Sequence, residues 1–85
     1  MKEEQLDTGM LWFDNDPKLD VLRKVQKAAA YYRNKYGDEP NLCFVHPSML
    51  IEEKTNSGSV VVCSNTTMLP NHFWIGVHCF EATNP

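Results

Sequence analysis

The chain has 85 residues, a formal net charge of −3, 42% hydrophobic and 22% charged residues. That is enough for one domain with a modest core, and too apolar for a disordered segment. No run of 18 apolar residues is present, and the opening MKEEQLD is acidic with no apolar leader core, so the expectation is a cytoplasmic protein without a membrane span.

In chain order, residues 1–7 are polar and read as a frayed tail. MLWF at 10–13, between Gly9 and Asp14, predicts a strand buried on both faces. Residues 16–36 then predict the one long helix of the domain. Asp16 is placed as N-cap and Pro17 as the first helical residue. Gly37 is placed as the left-handed residue past the end, and Arg33 and Lys35 favour the last turn. Leu22, Val25, Ala29, Tyr32 and Tyr36 fall on one stripe, which predicts burial against a sheet. The opposite face carries Asp20, Arg23, Lys24, Lys27, Tyr31 and Asn34.

NLCFVH at 41–46 predicts a second, central strand. PSMLIEE at 47–53 reads as a short helical segment and KTNSGS at 54–59 as a loop. VVVC at 60–63 predicts a third strand, and Met68-Leu69 a short one ended by Pro70-Asn71. FWIGVHCF at 73–80 predicts the last strand, with Phe73, Ile75, Val77 and Cys79 on one side and Trp74, Gly76, His78 and Phe80 on the other. Residues 81–85 form a second tail. The resulting fold is a single α/β or α+β domain over 1–85. It is a β-α-β unit followed by a β-hairpin, making a three- to five-stranded mixed sheet with one long helix packed on one face.

Charge is unevenly spread. Six of the eight cations fall within 17–36 against Asp20 alone, so that stretch carries +5 and the rest of the chain −8. Such asymmetry bears on association rather than on fold. An exposed basic face of Arg23, Lys24, Lys27, Tyr31 and Asn34 would suit nucleic acid, although the chain as a whole is acidic and holds no nucleic-acid motif.

Three further groups bear on chemistry. Parallel first and second strands would bring Asp14, Asp16 and His46 to one sheet edge, where a carboxylate and an imidazole can do acid–base work or hold a metal. Cys43, Cys63, Cys79 and the three histidines lack paired ligand spacing, so no metal and no cofactor is expected. An odd cysteine count without a leader points to reduced thiols in or near the core. Two Trp, three Tyr and four Phe exceed what so small a core can take in. Trp12, Trp74, His78 and Phe80 are therefore the expected protein-contact residues. No phosphate loop or catalytic signature is present. The leading expectation is a small non-catalytic binding or accessory protein that acts through protein–protein contact, with a homodimer as one form. Nucleic-acid association through the helix, and an enzyme or metal site at the Asp14–Asp16–His46 edge, are the alternatives.

Overall fold

The computed structural model describes residues 8–52 and 54–78. The two expected tails, with Cys79 and Phe80, lie outside the described residues. In chain order the elements are β1 (Thr8–Phe13), α1 (Val21–Tyr36), β2 (Leu42–Val45), a 3-10 turn (Pro47–Met49), β3 (Lys54–Ser57), β4 (Val60–Ser64) and β5 (His72–Val77). The strands form one five-stranded sheet in the order β1-β5-β2-β4-β3. Only β2 and β4 are parallel neighbours; the other pairs are antiparallel. The fold is a mixed α+β sheet with one helix on one face, as the single amphipathic stretch among short apolar runs predicts.

β1 and β2 run parallel because each is antiparallel to β5, and α1 crosses between them. β5 fills the slot between the two, so the β-α-β unit is split by the last strand. The hairpin is β3–β4, joined through Gly58 and Ser59. Gly58 has φ +61°, which suits a residue without a Cβ in so tight a turn. Residues 54–57, expected as loop, are thus an edge strand, and Thr55 sits opposite Val62. Met68-Leu69 is not a strand: Asn65 organises a turn there by accepting at Oδ1 from the N–H (2.8 Å) and hydroxyl (2.6 Å) of Thr67.

The helix starts later than its first capping signal. Asp16 Oδ1 accepts from the Lys18 N–H at 2.9 Å, which makes a local turn, and the N-cap is Asp20, whose Oδ1 accepts from the Arg23 N–H at 2.8 Å. Two acceptable caps four residues apart compete. The later one leaves residues 14–20 free to lift the chain from the end of β1 onto the face of the sheet. At the far end Gly37 is left-handed, and its N–H donates to the Arg33 carbonyl at 2.8 Å, as predicted.

Val25, Ala28, Ala29 and Tyr32 of α1 are fully buried against Met10, Cys43, Val45, Val60, Val62, Phe73 and Ile75. These sheet residues share one side of the pleat, as the cross-strand pairs Met10–Ile75, Trp12–Phe73 and Cys43–Ile75 require. Lys24 is a correction. It was placed on the exposed helix face, yet it is only 7% exposed. One turn from Ala28 on the flank of the buried stripe, its methylenes cover apolar surface.

A polar clamp ties the hairpin to the helix. Gln26 Nε2 donates to the Ser57 carbonyl (2.6 Å) and Oγ (3.0 Å), and the Ser57 hydroxyl donates to the Leu22 carbonyl at 2.7 Å. A Cβ on Gly58 would stand 2.8 Å from Gln26 Nε2, so the turn and the clamp are fitted to each other.

Val25→Asp is expected to abolish cooperative thermal unfolding, because a buried carboxyl without a partner costs several kcal/mol of a total near 5–15 kcal/mol. A wild-type Tm for that variant would overturn the assignment of the buried stripe. Ser57→Ala is expected to cost about 1–3 kcal/mol by leaving the clamp groups unpaired, read from denaturant midpoints. The exposed Ser59→Ala should stay within about 0.5 kcal/mol.

Candidate functional site

The helix covers one side of the sheet only. The other side is built by the alternate residues of the same strands. Leu11, Trp74, Phe44 and Cys63 are successive cross-strand partners from β1 through β5 and β2 to β4, and Lys54 of β3 closes the row. Leu42 and Val61 form the next row, and Phe13 pairs with His72, the rings 4.9 Å apart. Leu42, Phe44 and Cys63 are buried here, with Val61, Met68 and Trp74 packed around them. Towards the β1 edge the cover ends: Leu11 is 60% and Phe13 55% exposed. This is an apolar surface that α1 leaves uncovered, and the charged side chain in its row, Lys54, stands at the far β3 margin.

The expected contact residues divide between the two faces. Trp74 and His78 follow β5 onto the helix-free side by alternation, and Asn41 clamps the His78 backbone, donating to its carbonyl (3.0 Å) and accepting from its N–H (2.8 Å). Trp12 points the other way. It packs under the helix and stacks on Tyr31 with ring centroids 5.0 Å apart. Trp12 and Trp74 therefore do not form one surface, and Phe80 falls outside the described residues. Leu11 and Phe13, which a strand buried on both faces would have hidden, are the residues that sequence reasoning missed. The reason lies in strand order, which the sequence pattern does not carry: β1 is terminal in the sheet, and its helix-free side has no layer to meet.

The basic face of α1 is thinner than the sequence suggests. Arg23, Lys27, Tyr31 and Asn34 are exposed, but Lys24 is buried and Arg33 pairs with Glu39 at 3.0 Å. Tyr31 offers only part of its ring, because Trp12 occupies the other part.

The Asp14–Asp16–His46 edge is not assembled. β5 lies between the strands that carry Asp14 and His46, which sets them about two strand spacings, ~10 Å, apart. Asp14 turns inward, 8% exposed, with Oδ1 accepting from the Asp16 N–H at 3.0 Å. His46 turns to its own loop, where Nδ1 accepts from the Ser48 N–H at 3.0 Å and lies 2.8 Å from Ser48 Oγ. Among the described residues no three His, Cys, Asp or Glu side chains stand where they could share a metal ion. Trp12 Nε1 and Asp14 Oδ2 are buried with no hydrogen-bond partner among the described residues.

An open groove of about 340 Å³ lies between the first turn of α1, the loop after the 3-10 turn and β3, lined by Val21, Leu22, Met49, Leu50, Ile51, Glu52 and Thr55. Its walls are apolar with one carboxylate, and it holds no nucleophile–base pair. Among the described residues no helix is long and apolar enough to cross a membrane. No family model, curated protein or solved structure matches this chain; functional argument therefore rests on the surfaces themselves.

Cys43 and Cys63 are both buried, on opposite sides of the sheet. Burial, with a smaller contribution from Cys63, pushes the Cys43 thiol well above its ordinary 9.0. The native protein is expected to leave Cys43 unmodified by a thiol reagent at neutral pH, and denaturation without reductant should release three reactive thiols. Because the folded pKa is the higher one, the contribution of Cys43 to stability is complete below pH 9.0 and is lost as pH rises past it. Cys43→Ala should flatten that alkaline decline by up to about 1.4 kcal/mol per pH unit, read from denaturant midpoints between pH 8 and 10.

Proposed function

We propose that this chain is a small non-catalytic binding or accessory protein, and that it acts by protein–protein contact on the helix-free face of its sheet. The observation that carries the reading is the uncovered apolar surface running from Leu11 and Phe13 to Trp74. Apolar side chains left contiguous on a surface mark interaction sites. Each large one removed from water by a partner contributes about 1.5–3 kcal/mol. Trp74 supplies the aromatic anchor at the centre of the patch, beside the buried Phe44, and Leu11 and Phe13 supply its open margin.

Neither alternative has an observation in its favour. Nucleic-acid association would rely on Arg23, Lys27, Tyr31 and Asn34 without Lys24, and an acid–base or metal site would need Asp14 and His46 across an intervening strand.

A photo-crosslinker replacing Phe13 is expected to capture a protein partner in the native host, and the same group at Lys27 on the helix to capture none. Trp74→Ala should weaken capture at Phe13 at least tenfold at a temperature where the variant is still folded, its Tm being lowered by the packing lost around Phe44. Capture through Lys27 alone, or retention on DNA or RNA that falls steeply with salt, would overturn the reading.

A further inference from the structure

β1 forms one edge of the sheet and pairs only with β5 among the described residues. The Asp14 N–H donates to the Asn71 carbonyl at 2.9 Å. Hydrogen-bonded pairs alternate along an antiparallel ladder, so Trp12–Phe73 and Met10–Ile75 are also bonded pairs. Gly9, Leu11 and Phe13 therefore turn their N–H and C=O groups away from the sheet.

Edges that must stay free carry charge, proline, a bulge or very short strands. The opposite edge, β3, is four residues long and carries an exposed Lys54. β1 runs for six residues, TGMLWF, in continuous register with β5, without a charge, a proline or a bulge. Its backbone is ready for another strand.

We propose that the added strand is β1 of a second copy of this chain, antiparallel about a two-fold axis at Leu11. This deepens the reading above by naming the chain itself as a partner, through its backbone edge rather than through Trp74. Self-pairing at Leu11 sets Leu11 opposite Leu11 and Gly9 opposite Phe13 of the second copy. It is the register in which all three outward residues within β1 meet outward residues, so that each N–H finds a C=O. The side chains agree. With no charged residue on the strand, the two-fold axis brings no like charges together. The Phe13 ring of one copy lies over the Gly9 of the other, where no Cβ obstructs it, and both rings stay on the helix-free side. The contact joins two helix-free faces into one ten-stranded surface. A strand edge buries less than the ~800 Å² per partner of a standard interface, so the dimer forms at high protein concentration.

Hydrogen exchange followed by NMR tests this directly on the wild type. At low concentration the Leu11 and Phe13 amides should exchange freely while the Trp12 amide, bonded to β5, is protected. At millimolar concentration Leu11 and Phe13 should become protected, and light scattering should rise from 9.8 kDa towards twice that mass. Leu11→Lys, at an exposed position, should keep the wild-type Tm and remain monomeric, and Trp74→Ala should dimerise as the wild type does. A monomer at every concentration, or a dimer that survives Leu11→Lys with Leu11 and Phe13 amides still exposed, overturns the proposal. If Phe13 crosslinks to another protein while the wild type stays monomeric, only the self-pairing fails. If the Leu11-sensitive dimer forms and no other protein is ever captured, only the wider partner reading fails.

Discussion

One helix is too narrow for five strands. A helix is about 10 Å across with its side chains, and five strands at ~4.8 Å spacing span about 20 Å. Where α1 crosses the sheet, from β5 to the clamp on β3, its buried stripe is sealed: Val25, Ala29 and Tyr32 lie in one cluster with Phe73, Ile75 and Val62. Beyond that strip, cover is improvised. Met49 and Leu50, from the loop after β2, pack against the same cluster, and Trp12 closes the β1 flank with its ring on Tyr31. The groove beside Val21 and Leu22 is where the improvised cover and the helix do not quite meet.

The same width problem leaves the second face with no helix at all. That face is not simply wet. Leu42, Phe44 and Cys63 are buried there, with Val61, Met68 and Trp74 packed against them. A sheet can shield its middle strands with the side chains of their neighbours, but its edge strands have neighbours on one side only. Exposure therefore rises towards β1, and it does so on an edge strand whose sequence carries no charge. The lopsided charge of the chain fits this division: cations gather on the helix, leaving the helix-free face apolar.

Much of the architecture could be read from residue periodicity. The helix, its glycine stop, the alternation of Phe73 and Ile75 against Trp74, and the central position of the LCFV run all follow from patterns of 3.6 and 2. What failed has local physical causes. Asp16 and Asp20 are equally good caps, and only the path from β1 decides between them. KTNS lacks apolar residues because its strand is an edge, so it resembled loop. Lys24 is buried by its methylenes, which no tally of charge reveals. Asp14 and His46 lie at the same sheet edge, as parallel strands require, but periodicity says nothing about strand order, and β5 came between them. The candidate surface was half legible: alternation placed Trp74, while Trp12 lay on the wrong side and Leu11 and Phe13 had been assigned to the interior.

That strand order also governs when the molecule can exist. β5 is the last of the described strands and stands second in the sheet, bonded to both β1 and β2. During synthesis β1 is made before β5, its neighbour among the described strands, and sixty-odd residues later in the register that neighbour arrives. Residues as far apart as 13 and 72 must meet before the edge strand pairs with β5. Helix and β3–β4 hairpin can form from near neighbours, but the β1–β5 pairing needs a contact distant in sequence, and such closures are slow. Until then the uncharged strand TGMLWF is unpaired along both of its edges. The nascent chain, rather than the finished fold, is where this sequence runs its greatest risk of pairing with the wrong strand.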